Sequence, residues 1–404
     1  MPDVSATPRF SPRLAIVLSH PTQYYSPWFR WLARHTPLTL RVFYLWEFGV
    51  KAMRDPRFAT SFQWDVDLLS GYDSEFVPNV SPAPGAESFG GFDNPQIAER
   101  LRAWRPDAIL LFGYKWRTHL RVIAWARCHR VPLIFRGDSH LLGRPAPTRP
   151  RRWLLAALYR QFDAVTYVGA ANRAYFETFG VPGSRLFFAP HAVNQELFDP
   201  AFPAHRAEAS RLRTTLGLDS ATRVVLFAGK FVGDKQPLPL LEAFLALRLP
   251  RTALVFVGNG EQREALAAAA RAAPPGTVHF LPFANQSEMP SRYLLADVFA
   301  LPSRGLYETW GLAVNEAMHM GVPCLVSERV GCQQDLVSDG ETGWVFRSED
   351  PASLREKLAA ALAADRAALQ PRIAARIARY TYASAAAGLT RAVARVARPA
   401  PFPT

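Results

Sequence analysis

Residues 303–321 read S-R-G-L-Y-E-T-W-G-L-A-V-N-E-A-M-H-M-G, and the apolar run Val298-Phe299-Ala300-Leu301-Pro302 precedes them. A short apolar run bounded by turn residues has the character of a buried strand. Beyond the glycine-containing loop, Leu312, Ala313, Glu316, Ala317 and Met320 fall at helical spacing, which predicts a helix beginning at about 309–311. Strand, loop and helix in that order make an α/β unit. The mouth of such a helix offers backbone N–H groups without intrahelical partners and the positive end of the dipole, a site for phosphate. Glu308 stands in the loop beside that mouth, and Glu316 lies one to two turns inside the helix. A carboxylate next to an anion site is costly unless it holds hydroxyls, and a sugar nucleotide brings both hydroxyls and phosphates. An ordinary strand–loop–helix unit with a capping glutamate would show the same two residues, so the rest of the chain has to decide.

At 404 residues the chain is long enough for two domains, and with 49% hydrophobic and 20% charged residues it can bury full cores. Its three cysteines, Cys128, Cys324 and Cys332, are far apart and form no C-x-x-C pair, which fits a reducing cytosol and argues against a disulfide framework or a zinc site. No apolar run approaches the length of a membrane span. The net charge is +13 and uneven: residues 100–160 hold fourteen Arg/Lys against two acids, Asp107 and Asp138. Only five lysines occur, and two of them, Lys230 and Lys235, stand within six residues of each other. A nucleic-acid or acidic-polymer binding protein would also use such a basic segment, although no RNA-recognition motif accompanies it.

The α/β pattern repeats along the chain. A strand over 13–19 runs into Ser19-His20-Pro21-Thr22-Gln23-Tyr24-Tyr25-Ser26-Pro27, where His20 and Gln23 are candidates to face an acceptor or a donor phosphate; a helix entry capped by Ser26 fits equally. Residues 64–69 read as a strand whose Asp65-Val66-Asp67 alternates with Trp64 and Leu68, a solvated face rather than a metal clamp. A buried strand over 131–135 ends in Arg136-Gly137-Asp138-Ser139-His140. The second half restarts with a strand over 223–228 that ends in Gly229-Lys230-Phe231-Val232-Gly233-Asp234-Lys235, two cations on a loop at a strand's end, suited to a diphosphate. A strand over 253–257 opens into Gly258-Asn259-Gly260-Glu261, and one over 278–281 leads into Phe283.

The Glu308/Glu316 pair, the Gly229–Lys235 loop, Val257-Gly258-Asn259-Gly260 and Pro190-His191-Ala192-Val193-Asn194 together resemble the E-x7-E, G-[RK]-x4-K, V-G-x-G and P-N-G-V-D segments of retaining, family 4-type glycosyltransferases with the GT-B fold. The likeness is specific over 223–346 and looser over 1–190, where the family's usual glycine-rich first loop is missing. It implies an α/β chain of two doubly wound, Rossmann-like domains facing across a cleft. The acceptor domain is expected over 1–198, a linker over 199–215, the nucleotide-sugar domain over 216–379, and a helix crossing back with a tail over 380–404, frayed from 399.

The resemblance further implies transfer of a sugar from a UDP- or GDP-sugar to a glycan or lipid-linked acceptor of bacterial surface polysaccharide synthesis, with no metal cofactor. A nucleotide-sugar epimerase of the same fold is the nearer alternative. Glu308 would hold sugar hydroxyls and Glu316 ribose hydroxyls. Lys230, Lys235 and the backbone at Trp310, Gly311 and Leu312 would hold the diphosphate. The Gly258 and Gly260 loop would approach the donor, and the backbone at Phe283 would read the base. Family members often carry a histidine at the end of the strand that here ends in Asp138, with His140 two residues on, so either could take the acceptor-side role. The basic segment, with Trp116, Trp125 and Trp153 beside Arg117, Arg121, Arg149, Arg151 and Arg152, is expected to bring the enzyme to an anionic membrane surface from the cytoplasm.

Overall fold

A computed structural model describes residues 11–50, 53–55, 60–305 and 307–397. The tail expected at 399–404 lies outside the described residues.

The first domain is a seven-stranded parallel sheet made from β1 (Arg13–Leu18), β2 (Thr39–Tyr44), β5 (Ser74–Phe76), β6 (Ala108–Phe112), β7 (Leu133–Arg136), β8 (Ala164–Tyr167) and β9 (Leu186–Phe188). A separate antiparallel hairpin, β3 (Met53–Asp55) with β4 (Thr60–Phe62), interrupts it. The strand order β5-β2-β1-β6-β7-β8-β9 reverses between β1 and β6. The second domain repeats the plan with β10 (Arg223–Ala228), β11 (Thr252–Val257), β12 (Val278–Leu281), β13 (Val298–Leu301), β14 (Cys324–Ser327) and β15 (Gly343–Phe346), in the order β12-β11-β10-β13-β14-β15. Counted within the domain this is 3-2-1-4-5-6, the doubly wound dinucleotide-binding order, which reverses between β10 and β13. Ligands gather outside the carboxyl ends of the strands at such a reversal.

The central strands are continuous apolar runs because helices cover both faces of a parallel sheet. In Thr252–Val257 every residue is buried, as are Leu14–Leu18 of β1. One apolar core fills the second domain, and two fill the opposite faces of the first sheet. The stretch 199–215 is no extended linker. Phe202 and Pro203 open a helix, Pro203–Thr215, that packs on the second domain's helix Met289–Leu295.

The last helix, Tyr382–Val396, returns to the first domain. Tyr382, Ala385, Ala386, Leu389, Ala392 and Val393 form one apolar stripe against that sheet. Gly388 faces the Phe188 carbonyl so closely that an added Cβ would lie 1.8 Å from it. The helix therefore sits on β9 at a distance only glycine permits. Burying Leu389 or Val393 contributes about 1.5–3 kcal/mol each.

Residues 64–69 are not a strand. Asp67 accepts from the N–H groups of Leu69 and Ser70 at 3.1 Å, an Asx turn that competes with extended pairing. Asp65 turns to the other domain.

Candidate active site

The carboxyl ends of β10 to β13 and the facing loops of the first domain enclose a cavity of about 360 Å³. Lys230, Lys235, Glu308, Trp310, Gly311, Leu312, Glu316, Gly258, Phe283 and Asp138 all line it. The expected helix is Leu312–His319, with Gly311 as its N-cap at φ 102°. A Cβ at Gly311 would meet Val330 at 3.0 Å and Leu301 at 3.1 Å, so both backbone and packing demand glycine where the loop turns into the helix. The two glycines after β11 answer a different demand from the one the sequence suggests. A Cβ on Gly258 would lie 2.1 Å from the Gly229 carbonyl, and one on Gly260 2.7 Å from the Phe231 backbone. They let this loop close onto the lysine loop, and only Gly258 reaches the cavity.

The Lys235 ammonium, on the turn Gly233–Lys235, is ion-paired with Glu308 Oε2. The loop behind Glu308 is fastened from both sides. Within its own domain, Gly331 N–H donates to the Glu308 carbonyl and Cys332 N–H to the Trp310 carbonyl, at 3.3 and 2.8 Å. From the first domain, the Thr309 hydroxyl donates to Asp138 Oδ2 at 2.8 Å, and His140 Nε2 bonds the Glu308 carbonyl at 3.2 Å. Because His140 Nδ1 accepts from Leu142 N–H at 3.1 Å, the ring carries its proton on Nε2 and donates it to Glu308. Burial holds this imidazole below its ordinary value, against the opposing pull of the Glu308 carbonyl.

Asp138 is also within 3.4 Å of His191 Nε2. Burial would raise its carboxyl, but the bonds from His191 and Thr309 prevail and keep it below the usual carboxylate range. Burial likewise holds His191 below the ordinary imidazole value, although Asp138 pulls the other way. In this pair His191 Nε2 is the donor and the Asp138 carboxylate the acceptor. The pair is held in place by Asn315, whose amide donates to the His191 carbonyl at 3.2 Å, while Asn315 Oδ1 accepts from Trp310 Nε1 at 2.7 Å.

Glu316 is buried, with Oε1 accepting from Gln286 Nε2 at 2.9 Å and Oε2 from the Tyr293 hydroxyl at 2.6 Å. Tyr24, from the first domain, faces the same carboxylate and packs on the second domain's core. Burial raises the Glu316 carboxyl, and the hydroxyl of Tyr293 and the amide of Gln286 act in the opposite direction. A carboxylate offers about four acceptor positions, so about two remain for ribose hydroxyls.

Two matches to known families fall on this architecture. Residues 209–379 match the model described as glycosyl transferases group 1, and residues 63–192 match the glycosyl transferase 4-like domain. Each domain thus matches a glycosyltransferase model, the second domain that of group 1. A sulfoquinovosyl transferase of Arabidopsis thaliana is 26% identical over 64% of this chain and 50% of its own length. A GDP-mannose-dependent alpha-(1-6)-phosphatidylinositol monomannoside mannosyltransferase of Mycolicibacterium smegmatis is 33% identical over 49% of this chain and 53% of its own. The chain thus spans about half the length of the curated relatives it matches. Among solved structures, the Anabaena protein HepE in complex with UDP and glucose superposes with a TM-score of 0.68 at 17% identity, over 95% of this chain and 99% of that one. This likeness carries the fold: GT-B, two Rossmann-like domains.

Besides Gly260, two residues proposed from sequence stand apart from the cavity lining, His140 and His20. His140 spends its ring on the loop that carries Glu308. His20 bonds Ser19 and lies edge-on to Trp46 and Phe48, a site where burial lowers it to about 4. Gln23 and Tyr24 line the cavity in its place. His191, Trp64, Gln286, Tyr293 and Thr309 also line it, and none of them has a role assigned from sequence. His191 at least stands in the quoted Pro190–Asn194 segment. Gln286 and Tyr293 reach Glu316 only through helix packing, which has no local signature.

Proposed function

We propose that this chain transfers a sugar from a nucleotide-sugar donor to an acceptor with retention of anomeric configuration. The observation that carries this reading is one cavity in which two lysines, a helix mouth and two glutamates of the second domain meet Asp138 and His191 of the first. The diphosphate lies at Lys230, Lys235 and the N–H groups opening the helix, and Glu316 takes the ribose hydroxyls. Glu308 leaves its ion pair with Lys235 to hold sugar hydroxyls, which frees the lysine for the phosphate. The anomeric C–O bond breaks with its electrons passing to the diphosphate. The acceptor hydroxyl bonds to the same face of that carbon, and its proton goes to the departing phosphate oxygen. Fixed positive charge aimed at the leaving group stabilises this step, and we assign it no divalent metal.

The acceptor enters from a second cavity, of about 660 Å³, beyond Asp138. Tyr25, Phe112, Tyr114 and Phe135 give it aromatic walls, with Lys115 beside them, and Asp138 lines both cavities. Such walls suit sugar rings or an apolar carrier, which supports a glycan or lipid-linked acceptor in surface polysaccharide synthesis. The mannosyltransferase relative is named for a phosphatidylinositol acceptor. Among the described residues no helix is long and apolar enough to cross a membrane.

Ligand-detected NMR with a panel of UDP- and GDP-sugars, followed by product analysis with and without EDTA, tests the reading. Binding of one nucleotide sugar and metal-independent formation of a product with the donor's anomeric configuration are expected. An inverted product, or activity lost to the chelator and restored by Mg²⁺, would overturn the corresponding part.

A further inference from the structure

The connection from β2 to β5 is the place where a doubly wound sheet ordinarily carries a covering helix. Among the described residues it carries none. It holds the β3–β4 hairpin and then leaves its own domain. Gln63 and Asp65 bond to the loop that follows β12 in the second domain. Asn285 Nδ2 donates to the Gln63 carbonyl at 2.8 Å, and Asp65 N–H faces Asn285 Oδ1 at 3.4 Å. The Asp65 carboxylate accepts from Ser287 N–H at 3.3 Å and from the Ser287 hydroxyl. Trp64, between these two anchors, lines the donor cavity. Gly49 makes room behind it: a Cβ there would meet the Trp64 ring at 3.0 Å.

Strand order says which part of the cavity Trp64 covers. The loops of β13, β10, β11 and β12 contribute in turn Glu308 and the helix mouth, Lys230, Gly258, then Phe283 and Ala284. Neighbouring strands lie about 4.8 Å apart, so the Phe283 end is roughly 10 Å across the sheet from the β10 loop. A nucleoside diphosphate with its phosphates on the lysines puts its base at that far end. The lining there, Phe283, Ala284, Met289 and Trp64, is uncharged, and Trp64 is the part that comes from the opposite domain.

We propose that Trp64 is the first domain's wall of the nucleobase pocket, a platform for the flat face of the base, and that Asp65 with Asn285 and Ser287 latches it in position. This rests on the nucleotide-sugar reading and deepens it. Donor binding is then shared between domains at the base end as well as at the reacting end, and the latch keeps the cleft closed while the base is bound.

Calorimetric titration of UDP, GDP and inorganic pyrophosphate into the full chain tests the proposal. Trp64→Ala should weaken the better nucleoside diphosphate about 5- to 150-fold, the range of one base–aromatic stack. Pyrophosphate, which has no base, should bind as to the parent protein, and Trp64→Phe should restore most of the loss. Should Trp64→Ala fail to fold, Asp65→Ala, which keeps the platform and opens the latch, should weaken the nucleotide several-fold and spare pyrophosphate. Unchanged nucleotide binding in the variants, or an equal loss for pyrophosphate, overturns the wall while the donor assignment stands. A parent protein that binds neither nucleotide overturns both.

Discussion

In the proposed reaction Glu308 holds the sugar, and its environment sets what its loss should do. Its carboxylate pairs with Lys235, and its carbonyl is held by His140 and Gly331. Glu308→Gln leaves the carbonyl bonds in place, so the fold should stand, while the charge that answers Lys235 and the acceptor of sugar hydroxyls are lost. Transfer should fall by about 100-fold or more, the usual cost of one positioned polar contact at a reacting centre. Near-normal turnover in a variant that melts like the parent would contradict the role. At this scale the charges expected from the motifs, Lys230, Lys235, Glu308 and Glu316, do line one cavity, since a motif fixes side chains next to one another along the chain. It did not give His140 its place, because that ring's partner is a backbone carbonyl 168 residues away.

Two elements carry consequences beyond their own residues. The first is the turn into the helix Leu312–His319. With φ of 102° and two side chains about 3 Å from any added Cβ, Gly311→Ala should cost about 1–3 kcal/mol in urea unfolding. It should also weaken nucleoside diphosphate binding, since the helix mouth shifts. A variant with parental stability and affinity would show that the turn tolerates a side chain. The second is the basic helical face expected to meet a membrane, which the structure narrows to one helix. In Arg117–His129, Trp125 is buried, and Arg117 and Arg121 are both held by Asp93. Trp116 packs on Phe92 and donates to the Ala86 carbonyl. In Arg149–Tyr159, by contrast, Trp153 is 70% and Leu154 63% exposed, among exposed Arg149, Arg151 and Arg152. Cations near an anionic bilayer contribute about 1 kcal/mol each. Co-sedimentation with vesicles should rise with anionic lipid, fall with salt, and drop when Trp153 and Leu154 are changed to Ser. Equal recovery in the supernatant with neutral and anionic vesicles at low salt would remove the membrane from the proposal.

At the scale of the molecule, both domains share a sensitivity to acid. Burial lowers His20 and His319 to about 4 and His119 to about 3. The unfolded chain takes up protons at these rings below about pH 6.5, and the folded chain resists until far lower pH, so stability is lost as pH falls through that window. Each ring removes up to about 1.4 kcal/mol per pH unit there. His20 and His119 lie in the first domain and His319 in the second, so the whole chain should weaken together. The melting temperature should be flat above pH 7 and fall by at least about 5 °C between pH 7 and 5. His119→Leu should reduce the slope. A melting temperature constant from pH 7.5 to 4.5 would refute this.

The sequence by itself determined the two α/β repeats, the loops that end their strands, and the identity of Lys230, Lys235, Glu308 and Glu316. Those follow from apolar periodicity and from spacings of a few residues, which survive in any context. Tertiary structure alone decided which side chains complete the cavity. Tyr24 packed on the second domain's core, Thr309 on Asp138 and His140 on the Glu308 carbonyl all cross between domains. It also turned Trp64-Asp65 from an expected strand face into a strap over the cleft, because Asx-turn bonds at Asp67 and partners at Asn285 and Ser287 outweigh an alternating pattern. Alternation records which face of a segment can be buried. It holds no record of a partner more than 200 residues away that only the packing of two sheets brings within reach.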